Sequence, residues 1–302
     1  MPFIVAWGAP GCHFILSEPT EEYLSGEISS SLPNTFRVVH AQNPDVVVQR
    51  FVDACKGYHG SATMGNMFAF GCLSSTPTTT SPFTDTGVLL LTYDPASKTF
   101  SSKKITYPAG TANRVGTIVA NPAFASFIGN WDAGRLIRID PAATAMTTSD
   151  IINIGSPFCQ WIQDVKTGSR VYALHANNTI SVTSLTTFER IATIEFAEHL
   201  GGYTCSSAGR PFLAVAEDYL YISHKFSSTA YQVQEYSLVD FKLTNTFNVN
   251  YAIHQFSVAG LYHPHDAEDS ADCLDPHNSS AGRNVAGALA LAATSVALFA
   301  WL

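Results

Sequence analysis

The stretch SRVYALHANNTISVTSLTTFERIATIEF, residues 169–196, decides the fold. It holds three runs rich in aliphatic, aromatic and β-branched residues, at 170–175, 179–185 and 190–196. Asn, Ser and Thr clusters separate them. Short runs of this composition, bounded by turn formers, read as β-strands joined by hairpins. A helix would need apolar residues three and four apart, and none of that periodicity is present.

The same succession returns elsewhere. Strands are expected at 67–72, 87–93 and 103–107, then at 124–130, 134–140 and 150–154, and again at 219–224, 231–239 and 243–249. Another short run containing Gly precedes each triplet, so the unit has four strands. Its return at roughly forty to fifty residues is the period of a propeller blade. A four-stranded blade buries both faces only between neighbours, and radial stacking hides its edges. The expectation is an all-β protein, a β-propeller of about five to seven four-stranded blades over residues 1–262. The completeness of its N-terminal blade is left open. Residues 1–16 read as two short strands. A β-sandwich is the structural alternative.

Only 13% of the residues are charged and the net charge is −8, with no Lys/Arg run. Phosphate binding needs a concentrated basic surface, so no nucleic-acid partner is expected. Six cysteines, none in a CxxC pair, permit up to three disulfides but do not fix their pairing.

Residues 284–302 form 19 uncharged residues ending the chain, expected to be a hydrophobic tail helix. No basic residue follows them, and small residues precede them. That order is a lipid-anchor signal, with Asn278, Ser279 and Ser280 as the GPI attachment region. The alternative is a retained single span. Residues 263–283 form a His/Asp-rich tether between the two. These features place the chain at the extracellular face of a plasma membrane. The first 16 residues lack the basic start and unbroken apolar core of a signal peptide. A misassigned start codon or a truncated N-terminus is therefore expected. Sequons at Asn177 and Asn278 are candidate glycosylation sites.

Two resemblances refine this reading. The runs VYALH, ISVTS and RIATI resemble the repeat of YVTN-type β-propellers. The succession Cys55-Lys56-Gly57-Tyr58-His59-Gly60, Phe70-Gly71-Cys72 and Gly87-Val88-Leu89 resembles the bacterial periplasmic zinc metallochaperones that serve zinc ABC importers. About forty residues carry that second match. It departs from the family in a Ser/Thr/Pro-rich insertion at 73–86 and in lacking a His-rich N-terminal segment. What it implies is zinc capture and delivery to a membrane metal transporter, without catalysis.

In a propeller the innermost strand of each blade lines a central channel whose mouth collects ligands. The repeat places the inner-strand starts near His59, Arg114, Cys159-Gln160, Arg210 and His254. Imidazoles with thiolates or carboxylates converging there would suit Zn2+. The candidate ligands are His59 and His254, with Cys55 and Cys159 beside them. His263 and His265 of the tether are further candidates. Arg114, Gln160 and Arg210 are expected to line the channel, where the two guanidiniums would repel a cation. No GxSxG, HExxH or P-loop signature is present. The alternatives to a zinc carrier are a recognition or adhesion propeller and a lactonase-like propeller hydrolase with oxygen ligands.

Overall fold

The structure is a computed structural model. It describes residues 3–9, 13–18, 35–40, 43–52, 54–55, 58–72, 86–109, 115–164, 166–197, 199–207 and 209–249. Arg114, His254, the tether, the attachment region and the tail all lie outside the described residues.

Among the described residues, twenty strands form five antiparallel four-stranded sheets, each in plain sequence order. The first contains β1 (Phe3–Ala9), β2 (His13–Glu18), β3 (Thr35–His40) and β4 (Asn43–Phe51). The second contains β5 (Ser61–Met64), β6 (Met67–Gly71), β7 (Gly87–Asp94) and β8 (Thr99–Thr106). The third contains β9 (Ile118–Asn121), β10 (Ser126–Asp132), β11 (Arg135–Ile139) and β12 (Ile151–Asn153). The fourth contains β13 (Gln160–Gln163), β14 (Arg170–Leu174), β15 (Thr179–Ser184) and β16 (Arg190–Glu195). The fifth contains β17 (Phe212–Ala216), β18 (Tyr219–Lys225), β19 (Tyr231–Ser237) and β20 (Leu243–Val249). This is the β-propeller that the repeat predicts, with five blades among the described residues. No described helix is long and apolar enough to cross a membrane.

Alternation along each strand builds the interfaces between blades. In β6, Phe68 and Phe70 face the first blade, where they meet Ile15, Phe36 and Val38. Ala69 between them faces the third blade and joins Val88, Phe127 and Ile137. In β14, Val171 and Ala173 meet Ile128 and Leu136 of the third blade. Tyr172 and Leu174 turn the other way, onto Leu213, Leu220 and Ile222 of the fifth. Among the described residues the core is thus four layers between blades rather than one central mass. Each fully buried aliphatic or aromatic side chain there contributes about 1.5–3 kcal/mol.

Polar side chains add a second tie across each interface. The Gln49 amide donates to the Phe100 carbonyl and accepts from the Phe100 N–H, at 2.9 and 3.1 Å. Lys103 donates to the Pro141 and Ala142 carbonyls of the next blade. Asn121 donates to the Gly168 carbonyl at 2.8 Å, and Arg170 to the Leu238 carbonyl at 2.8 Å.

Turn chemistry repeats as well. Asp94, Asp132, Asp140 and Asp164 each accept the backbone N–H two residues on. An aspartate in this arrangement mimics a backbone turn.

Candidate functional site

Inner strands β1, β5 and β9 lie side by side, as do β13 and β17. The strands begin where the repeat places them. His59 stands two residues before β5, Gln160 opens β13, and Arg210 stands two residues before β17.

The segment leading into β5 is fastened at several points. Cys55 forms a disulfide with Cys72. Tyr58 packs against Phe36 and Phe70, at ring distances of 5.3 and 6.2 Å. Burial raises the Tyr58 phenol above its ordinary pKa, against a smaller lowering by its hydrogen bond with Ser17. The His59 N–H donates to the Gly71 carbonyl at 2.8 Å, and the Gly71 N–H to the Gly60 carbonyl at 3.2 Å. Glycine is required here. Gly60 has φ +93°, and a Cβ on it would lie 1.7 Å from the Gly116 oxygen.

With its backbone held, the His59 side chain is exposed. Its Nδ1 lies 3.3 Å from the Gly116 carbonyl oxygen. A carbonyl only accepts, so Nδ1 carries the proton and donates it. The lone pair of neutral imidazole then sits on Nε2. Metal-ligating histidines are oriented in this way, with the second ring nitrogen donating to a backbone carbonyl.

Two expected ligands are removed. Cys55 is bonded to Cys72, and Cys159 to Cys205. A disulfide sulfur has no thiolate to offer a metal. No group of three His, Cys, Asp or Glu suited to a metal occurs among the described residues. His254, His263 and His265 lie outside them, so His59 is the one expected ligand that remains among the described residues.

The channel residues divide. The Gln160 amide donates to the Leu213 carbonyl at 3.1 Å and accepts from the Leu213 N–H at 2.9 Å, bridging β13 and β17. The Arg210 guanidinium lies over the Phe212 ring, 5.0 Å from its centroid. No described carboxylate pairs with it, and burial lowers its pKa from the ordinary arginine value. Asn177 is exposed in the β14–β15 turn, where its side-chain oxygen accepts from Thr179 Oγ1 at 2.7 Å.

Besides His13, three buried histidines among the described residues were not expected as ligands. His175 has Nδ1 3.0 Å from Ser156 Oγ and 2.8 Å from the Pro157 carbonyl, with Nε2 2.8 Å from Ser181 Oγ. His199 Nδ1 accepts the Lys225 N–H at 3.1 Å. His224, at the end of β18, is 1% exposed. The first is fully engaged in holding its blade corner together. Tyr203 adds to that corner by donating its hydroxyl to the His175 carbonyl.

Comparison with known proteins agrees with the resemblance read from the sequence. A zinc chaperone, AztD of Citrobacter koseri, is 23% identical over 263 residues, which cover 79% of this chain and 58% of the relative. The chain therefore spans less than two thirds of that protein's length. Two solved structures of C. koseri AztD, one of them the apo form, superimpose with TM-scores of 0.63 and 0.64 at 20% identity. They cover 85% and 87% of this chain, and it covers 61% and 63% of theirs. No family model matches the chain. It is a β-propeller similar in sequence, and in fold, to a bacterial zinc chaperone.

Proposed function

We propose that the protein captures Zn2+ at the channel mouth, with His59 Nε2 as one ligand, and passes it to a membrane metal transporter. The observation that carries this is the His59–Gly116 hydrogen bond, which presents an exposed imidazole with its Nε2 lone pair available. The similarity to a zinc chaperone supports it. One imidazole does not make a zinc site. The remaining ligands are proposed to come from His254 and from His263 and His265 of the tether.

The protein acts outside the cytoplasm in this reading. Two disulfides suit an oxidising compartment. Residues 284–302 hold it at a membrane, through a GPI group attached near Asn278–Ser280 or as a retained span. Release of surface protein by a phosphatidylinositol-specific phospholipase separates these two anchors. Attached glycans are proposed at Asn177 and Asn278.

The test is metal content. The full chain, purified through a secretory host without chelating resin, is expected to carry near-stoichiometric zinc by mass spectrometry. His59→Ala should lose most of it. A folded wild-type protein that takes up no zinc removes this reading. The second reading, a recognition propeller, then stands, and Arg210 favours it. A half-buried guanidinium without a described carboxylate partner suits an anionic or aromatic partner better than a cation.

A further inference from the structure

His59 does not hold its own orientation. The Gly116 carbonyl that fixes its ring belongs to the 115–117 segment, just before β9 in the neighbouring blade. Two sets of bonds anchor that segment. The Gly116 N–H donates to the Asn130 carbonyl at 3.1 Å, and the Asn130 N–H to the Thr117 carbonyl at 2.7 Å. The other anchor is a side chain: the Val115 N–H donates to the Tyr107 hydroxyl at 3.1 Å. The same hydroxyl donates to the Cys72 carbonyl at 2.7 Å.

These bonds close a circuit. Cys72 is joined to Cys55, four residues before His59. Gly71, beside Cys72, accepts the His59 N–H. The Tyr107 oxygen therefore ties the strand end that holds the His59 backbone to the segment that holds its ring. The tolerance is small. A Cβ on Gly71 would lie 2.1 Å from the Val115 oxygen, so the two segments touch backbone to backbone. Tyr107 itself is 7% exposed, its ring edge-on to Trp131 at 5.2 Å.

We infer that Tyr107 is a positioning residue for His59: its hydroxyl sets the Gly116 carbonyl that keeps the imidazole proton on Nδ1 and leaves Nε2 for the metal. This rests on the zinc reading above for its purpose, but not for its geometry. Loss of an orienting partner of a metal-ligating histidine typically weakens metal binding about 10–100-fold.

The experiment reads the His59 tautomer by imidazole 15N NMR in the metal-free full chain at pH 8, then zinc affinity by competition with a chelating dye. Wild type is expected to show the Nδ1–H form. Tyr107→Phe should give a mixture of both neutral tautomers and zinc binding weaker by about 10–100-fold. Trp131→Phe disturbs the same packing but keeps the hydroxyl, and should leave the tautomer unmoved. An Nε2–H form in wild type overturns the proposal. So does an unchanged tautomer in Tyr107→Phe, or an equal shift in Trp131→Phe. If Tyr107→Phe does not fold, p-aminophenylalanine at 107 keeps a donor for the Cys72 carbonyl but is a poorer acceptor for Val115. A smaller shift in the same sense is then expected, and none overturns the proposal. Wild type that holds the Nδ1–H form, and loses it in Tyr107→Phe, yet binds no zinc overturns the functional reading while upholding the hydroxyl's hold on His59.

Discussion

The Gln160 side chain spends both ends of its amide on one residue of the next blade, Leu213, at 3.1 and 2.9 Å. It takes the place of a strand partner that the inner edge of a blade lacks. Both backbone groups of Leu213 are bonded in this way from the neighbouring blade.

Gln160→Met keeps the side-chain volume and removes both bonds. Leaving two backbone groups unsatisfied at a half-buried edge is expected to cost about 1–3 kcal/mol. Gln163 makes one long bond of 3.4 Å to the Ala120 carbonyl, so Gln163→Met should cost less. Urea unfolding of the two variants side by side checks the order. Equal midpoints would mean that the Leu213 groups find water readily.

The buried histidines predict an acid-labile fold. His175, His199 and His224 all have pKa values lowered from 6.5, with burial as the main cause in each. The Pro157 carbonyl opposes this at His175, and the His224 and Lys225 charges add to it at His199. A base whose folded pKa is depressed binds fewer protons folded than unfolded between the two values, so stability falls with pH there. The contribution is whole above pH 6.5 and is lost as pH drops from 6.5 through the folded values. Asp132 and Asp150 also have lowered pKa values. Burial alone would raise them, but hydrogen bonds outweigh it, from Arg135 and Gly134 at Asp132 and from Thr147 and Arg138 at Asp150. Their loss begins only near the carboxylate value of 3.8. Urea midpoints are therefore expected to fall between pH 7.5 and 5. His224→Gln should flatten that slope. A pH-independent midpoint over this range contradicts the assignment.

The two turn glycines of the second blade separate backbone strain from steric fit. Gly65 has φ +55° and open space around its missing Cβ. Gly65→Ala should cost only the left-handed penalty, about 1–2 kcal/mol. Gly60→Ala adds a collision with the Gly116 oxygen. That variant must displace the carbonyl that orients His59. It is expected to be the less stable of the two and to lose zinc affinity, whereas Gly65→Ala keeps it. Thermal melts with zinc titrations on both proteins make the comparison.

How legible this was depended on the kind of signal. β14 to β16 show themselves because each is five or six residues of β-formers between Asn- and Thr-rich turns. Three of the inner strands, Ser61–Met64, Ile118–Asn121 and Gln160–Gln163, are four-residue runs, half-buried along much of their length. Their position followed from the repeat rather than from their own pattern. Cys55 and His59, four apart, could signal a ligand pair as well as a tethered turn. Only the distance to Cys72 decides between these. Tyr107 could not be found from the chain at all, because its partners, Cys72 and Val115, meet it only through the packing of two blades.

The disulfides should then differ in what they protect. In the loop-entropy account, closing separations of 17 and 46 residues stabilises by about 3 and about 4 kcal/mol respectively. Removing Cys159–Cys205 by paired alanine substitution is thus expected to cost more stability than removing Cys55–Cys72. For zinc the order reverses. Cys55–Cys72 closes the circuit that holds His59, while Cys159–Cys205 ties residues at the fourth and fifth blades. The Cys55→Ala/Cys72→Ala protein should lose affinity even at temperatures where it stays folded, and the Cys159→Ala/Cys205→Ala protein should keep it. Measured together, unfolding midpoints and zinc affinities that rank in opposite orders would separate the positioning of His59 from the stability of the whole. Rankings that run in parallel would show that zinc binding only follows global stability, and the local role of the 55–72 bridge would fall.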